Sequence, residues 1–317
     1  MSTLESLSEK SDFGGIYIHI PFCCRKCRYC DFYSISDLSL QSRFIEALLE
    51  EMGLVATTTY CNRLEFDTLY MGGGTPSVLT RKALERIITS AYNRFTFAPD
   101  SEVTIEINPG TLGIDDLRHY RDIGINRINI GVQTFQDNNL TFLGRSHTAI
   151  EADETLAEAR KIGIENIGID LIYGLPEQTE EDWKVDLDRA VAYDPEHLSC
   201  YTLTYEQGTA MTADMERGKF LPATPEHVAQ LYLITIEKLK RHGYEQYEVS
   251  NFARSIALRS RHNCKYWKFK PYLGLGPSAH SFFFPERIWN IADLNAYLVD
   301  IENGRRPLGG QETVSYT

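Results

Sequence analysis

An α/β fold, with strand-helix units repeated around a parallel sheet, is what this sequence predicts, on three observations. Short β-branched runs alternate with longer amphipathic segments along its 317 residues, the order expected when crossover helices cover a parallel sheet. A helix-stop recurs, in which a charged residue, a spacer, a glycine and an apolar residue lead into the next segment: Asp122 to Ile125, Lys161 to Ile164 and Arg241 to Tyr244. The composition, 43% hydrophobic, 24% charged and 11% aromatic, is that of a globular chain and excludes a disordered or fibrous one.

In chain order, strands are expected at Ile16 to Ile20, Thr68 to Met71, Val103 to Ile107, Arg127 to Ile130, Ile167 to Ile172, Leu198 to Leu203 and Gln246 to Val249. Between them, apolar periodicity predicts helices at Leu40 to Val55, Arg81 to Tyr92, Ile114 to Tyr120, Ile150 to Lys161, Glu180 to Val191 and Pro225 to Arg241. Thr224 before Pro225 reads as an N-cap with proline at the first helical position. Gly124, Gly163 and Gly243 stand at intervals of 39 and 80 residues, one and about two strand-helix units, where a left-handed residue closes a helix. Periodicity leaves open whether the sheet closes into a barrel. Gly304 to Gly310 reads as a loop or domain boundary.

Acidic residues outnumber basic ones 44 to 32, for a net charge of -12, which disfavours nucleic acid as a partner. No apolar run approaches the roughly 18 to 20 residues that span a bilayer. The polar start, Met1 to Lys10, lacks the basic-then-apolar order of a secretory signal, so a cytoplasmic protein is expected. Seven cysteines, four of them between positions 23 and 30, suit metal ligation in a reducing compartment better than a disulfide framework.

Three sulfur ligands, Cys23, Cys27 and Cys30, follow the first strand with spacings that can wrap an iron-sulfur cube and leave one iron open. Cys24, Cys27 and Cys30 form a competing ferredoxin-like register, which fails where cysteine and proline should follow, because Ser34 and Ile35 stand there. A zinc site would need a fourth ligand, from His19 or a distant residue. After the second strand, Met71-Gly-Gly-Gly-Thr-Pro-Ser77 lets a ligand approach the backbone and is not a phosphate loop. Glu106, Gln133 and Asp170 end otherwise apolar strands, where barrel sites are built and a buried carboxylate needs a reason. From Arg254 to Lys270 six basic residues occur without an acidic one. Aromatics interleave with them, a surface suited to a planar tetrapyrrole with anionic propionates.

The string Tyr-Ile-His-Ile-Pro-Phe-Cys-x3-Cys-x2-Cys-Asp-Phe, which opens at Tyr17, resembles the radical S-adenosylmethionine superfamily, in the branch that holds oxygen-independent coproporphyrinogen III oxidases and the HemW-type haem chaperones. The resemblance covers nearly the whole chain. It implies a partial (β/α) barrel over residues 1–252 with a C-terminal extension over 253–317, and a 4Fe-4S cluster on Cys23, Cys27 and Cys30 with Cys24 a bystander. It further implies that S-adenosylmethionine is held by Tyr17, Tyr29, Gly73, Gly74, Thr75, Glu106, Gln133, Arg145 and Asp170. His262, Asn263, Tyr266 and Trp267 are similar to a His-Asn-x-x-Tyr-Trp signature of haem handling. The expected function is haem binding and delivery to acceptor proteins, with an electron donor for the cluster; the alternative is radical oxidative decarboxylation of coproporphyrinogen III. Phe32, where the oxidases carry a further cysteine, and a first strand preceded by less sequence than theirs favour the chaperone. HemW-type proteins usually continue into a helical domain, so the chain, which ends at Thr317, is expected to be truncated or a short form.

Overall fold

The structure, a computed structural model, describes residues 13–315; Met1 to Lys10 and Thr317 lie outside the described residues. Six strands lie side by side and parallel: β1 (Gly14–Ile20), β2 (Glu65–Gly73), β3 (Thr96–Ile107), β4 (Arg127–Gln133), β5 (Ile167–Tyr173) and β6 (His197–Thr202). The crossovers between them are α1 (Gln41–Ala56), α2 (Arg81–Arg94), α3 (Ile114–Asp122), α4 (Asp137–Leu143) followed by α5 (Ala149–Lys161), and α6 (Glu180–Ala192). After α7 (Ala210–Glu216) and α8 (Pro225–Arg241), the chain adds β7 (Glu245–Gln246) and β8 (Asn251–Ala253), antiparallel, beyond β6. It then returns through α9 (Arg261–Trp267) to β9 (Tyr272–Leu275), parallel to β1 on the opposite flank. β10 (His280–Phe283), β11 (Glu286–Asn290), α10 (Leu294–Glu302) and β12 (Leu308–Thr313) finish that flank, their strands antiparallel. The sheet does not close, its edges being β12 and β7, so the expected partial barrel is what forms.

Period-two alternation sorts each strand's side chains into two sets. Ile16, Ile18 and Ile20, then Leu69 and Met71, Val103, Ile105 and Ile107, and their counterparts on β4 and β5 join the helices in one continuous core with Phe44, Leu84, Leu117, Leu156 and Leu187. The opposite set, Tyr17, Thr68, Tyr70, Glu106, Asn129 and Asp170 among them, faces the barrel interior. That inward face is polar, and it makes the site.

The helix-stop glycines behave as the repeat predicts: Gly124, Gly163 and Gly243 take left-handed φ values of 93°, 82° and 81°. Thr224 accepts from the His227 amide and caps α8. Two expectations need correction. Gln246 to Val249 is not a strand of the repeat: pairing stops at Gln246 and the chain turns back, with the Glu248 carboxylate accepting from the Ser250 amide at 2.7 Å. The Gly304 to Gly310 loop is shorter than expected: it ends at Pro307, because Leu308–Thr313 pairs with β11 as the edge strand. Its glycine is required there, since a Cβ on Gly310 would run into the Trp289 ring.

Candidate cofactor pocket

The loop after β1 is held in shape before any ligand arrives. Cys23 N donates to Ile35 O at 3.0 Å and Ile35 N to Pro21 O at 2.7 Å, tying its two ends together. Arg28 locks its middle: the amide reaches Leu143 O, the guanidinium reaches Phe142 O at 3.0 Å and Asp214 at 2.6 Å, and its own carbonyl accepts from Met211 N. The loop thereby presents Cys23, Cys27 and Cys30 to a cavity of about 620 Å³, while Cys24 is exposed and outside its lining.

Most of the residues singled out in the sequence meet in that cavity, at the C-terminal ends of the strands. Tyr29, Gly73, Gly74, Thr75, Glu106, Gln133, Arg145 and Asp170 all line it with the three thiols. Tyr17 does not line it; its ring lies lower, its hydroxyl 3.1 Å from His19 Nδ1. Thr75 donates to Cys23 Sγ at 3.4 Å and Arg145 to Cys27 Sγ at 3.5 Å. The glycine run is tight for the protein's own reasons as well. A Cβ on Gly74 would come within 2.6 Å of Ile20 O, one on Gly72 within 2.8 Å of the Glu106 carboxylate, and one on Gly73 would strike the His19 ring.

Electrostatics follow from burial. Glu106 accepts from Tyr70 Oη at 2.7 Å and Gly73 N at 3.1 Å, yet loss of water pushes its carboxyl up to about 7. Asp170 is raised by the same cause, against hydrogen bonds from Ser199 and Asn129 that lower it; Asn129 Nδ2 donates to its Oδ2 at 2.5 Å. Burial pushes the Cys30 thiol up to about 11 and raises Cys23 as well. These thiols keep their protons until a metal takes the protons' place. Gln133 sits at a left-handed φ of 70°, a costly conformation for a residue with a side chain, held at the site's edge.

Sequence reasoning missed Asn108, which joins the two sulfur donors: its amide donates to Thr75 Oγ1 at 2.8 Å and its carbonyl accepts from Arg145 at 2.6 Å. It missed Asn129 and Tyr201 too, both of which line the cavity. Extending the period of two from Glu106 to Asn108, and back from Gln133 to Asn129, would have found both asparagines.

The second motif goes elsewhere. None of His262, Asn263, Tyr266 and Trp267 lines the cavity; α9 plugs the N-terminal mouth of the barrel. His262 is 1% exposed, with Nδ1 2.8 Å from Thr68 Oγ1 and Nε2 2.9 Å from Tyr266 Oη. Burial pulls it down to about 3, so it is neutral. The amides of Arg261 and His262 donate to Glu102, and the ring stacks on Tyr70 at 5.2 Å. Asn263 is half-buried, and Trp267 is 43% exposed. Cations of the basic run are paired within the fold: Arg254 with Asp194, Arg259 with Glu245, and Arg261 and Lys265 with Asp67.

Among the described residues no group of His, Cys, Asp or Glu closes around a single metal ion. Three thiols opened around a cavity, two of them receiving hydrogen bonds, are instead the donor set that a cube of iron and sulfur fits.

The family model for the Radical SAM superfamily matches residues 17–190. Over 294 residues the chain is 39% identical to heme chaperone HemW of Synechocystis sp., spanning 90% of this chain and 70% of that protein. It is 36% identical to heme chaperone HemW of Escherichia coli, spanning 84% and 69%. Among solved structures it is similar to coproporphyrinogen III oxidase HemN of Escherichia coli, a radical SAM enzyme, with a TM-score of 0.83 and 25% identity over 96% of this chain and 73% of that one.

Proposed function

Because the chain belongs to the radical S-adenosylmethionine superfamily and, within it, to the family of heme chaperone HemW, we propose that it is a haem chaperone. It binds haem and hands it to acceptor proteins, on a framework that holds a 4Fe-4S cluster and S-adenosylmethionine. The observation that carries the cofactor half is the single cavity shared by Cys23, Cys27, Cys30 and the polar strand ends. Held by Cys23, Cys27 and Cys30, the cluster would supply one electron and an open coordination position to the cofactor. The chain's own part is to orient: Thr75 and Arg145 donate to the Cys23 and Cys27 sulfurs, Glu106 and Asp170 would accept from the cofactor, and Gly73 and Gly74 would allow it close. Tyr29 closes the cluster side, Gln133 the strand ends, and Tyr17 supports the floor.

Haem meets the chain outside this cavity. A volume of about 620 Å³ is what a single drug-sized ligand takes, within a range of roughly 300 to 1,000 Å³, and cluster and cofactor already share it. The haem-facing part of α9 is the exposed Trp267 at its end with the half-buried Asn263 one turn before it, on a helix that His262 and Tyr266 anchor in the barrel mouth. An electron donor for the cluster and a cytoplasmic location complete the reading; all seven cysteines are free thiols, as a reducing compartment keeps them. No helix among the described residues is long and apolar enough to cross a membrane.

The likeness to HemN supports a second reading, oxidative decarboxylation of coproporphyrinogen III. One preparation decides between them. Anaerobically reconstituted protein is titrated with haem by visible absorption and assayed for coproporphyrinogen III conversion. Saturable haem binding without conversion is expected; conversion without haem binding would establish the oxidase instead.

A further inference from the structure

Arg127, the first residue of β4, points into the barrel, is 1% exposed and makes no salt bridge among the described residues. Its Nε and Nη2 have no hydrogen-bond partner. A buried cation without a paired anion is costly, so its position calls for a reason. The neighbourhood supplies one. Arg127 lies one inward step below Asn129 on β4, and Asn129 is in register with Glu106 on β3 and Gly168 on β5. The guanidinium uses the space that Gly168 leaves: a Cβ there would sit 3.2 Å from Arg127 Nη2 and would overlap Asn129 Oδ1. Asn129 in turn donates to Asp170. The unpaired cation therefore underlies the carboxyls of Glu106 and Asp170.

We propose that Arg127 is a positioning residue for S-adenosylmethionine, its charge favouring the ionised forms of Glu106 and Asp170, in which both accept hydrogen bonds from the cofactor. The inference rests on the cofactor reading above. Both carboxyls are lifted by burial, and Arg127 pulls both back down. The other groups that face them are Tyr17 on β1, Tyr70 on β2, Cys200 and Tyr201 on β6, Tyr266 on α9 and, after α4, Arg145. Burial raises the four tyrosines and the thiol, leaving them neutral. Arg145 is already bound to Asn108, Gly131 O and Cys27 at the rim. The cation beneath the pair is Arg127.

S-adenosylmethionine is titrated calorimetrically into the cluster-loaded parent, Arg127→Gln and Arg127→Lys from about pH 6 to about pH 9, spanning the carboxyl and imidazole range. At pH 7 a one-unit rise in the Glu106 carboxyl, from about 7, should weaken binding by the glutamine variant about fivefold, with recovery as pH rises, while lysine stays within about threefold. Iron content should match in all three. Parent-like binding by Arg127→Gln at pH 7, or weakening by the same factor at every pH, overturns the inference. If the glutamine variant does not fold, Arg127→Lys decides: binding with the parent's pH profile supports the inference, and lost binding with iron retained overturns it. A cluster-loaded parent that binds no cofactor at any pH defeats the cofactor reading itself.

Discussion

At the C-terminal mouth of the barrel, the thiols of Cys23, Cys27 and Cys30 and the carboxyls of Glu106 and Asp170 share one cavity. At the N-terminal mouth, His262 has both ring nitrogens engaged, and the amides beside it are taken up by Glu102. Both regions hold cysteine, charged and aromatic side chains, so composition alone does not separate them. What separates them is saturation: one mouth leaves its polar atoms for a visitor, and the other uses its own to shut the floor of the sheet.

The largest expected effect tests the open mouth. Replacing Cys23, Cys27 or Cys30 by alanine should abolish cluster assembly, while Cys24→Ala retains about four irons per chain. Iron and sulfide analysis after anaerobic reconstitution reads this, and retention by Cys23→Ala with loss by Cys24→Ala would reverse the register.

Next comes Glu106, whose folded value of about 7 lies above its ordinary 4.5. The stability that this group confers is present below pH 4.5 and disappears as pH climbs through 7, a swing of about 3 kcal/mol for such a shift. Glu106→Gln removes the swing. Its denaturant-unfolding free energy relative to the parent should therefore rise between those two pH values, and a flat difference would contradict the burial argument.

The closed mouth gives the third test. His262→Ala strands Thr68 and Tyr266 and should cost about 1–3 kcal/mol, visible as a lower Tm, with cluster content intact. Loss of iron together with stability would show the two mouths to be one unit. Trp267→Ala is the mildest change: at its exposed end of α9 the stability effect should stay within about 0.5 kcal/mol, while haem affinity falls. Unchanged haem titration would move the haem contact away from α9.

Much of the barrel was legible because its strands carry β-branched or other apolar residues at every second position, as in Ile16, Ile18 and Ile20, and its helices obey a 3.6-residue period. α4 and α7, seven residues each, are too short to establish a period. The β9 to β12 flank escaped notice for another reason: its strands are four to six residues long, and glycines such as Gly310 look like turns until Trp289 is seen lying across them. Within the site, the cysteine spacing and the polar strand ends could be read directly. Which end of the sheet α9 would reach could not, because His262, Asn263, Tyr266 and Trp267 fix a helix face and leave its destination to tertiary packing. Asn108 and Arg127 were equally hidden, one inside a turn-like Asn-Pro-Gly and the other looking like a surface charge.

Arg28 has a consequence for how the protein matures. Its grip on α4 and α7 means the cysteine hairpin owes its shape to the polypeptide, unlike small zinc modules that fold only around their ion. Metallation is thus the filling of a ready socket: far-ultraviolet dichroism of cluster-free and loaded chains should coincide, and assembly of iron and sulfide can follow folding without rescuing it.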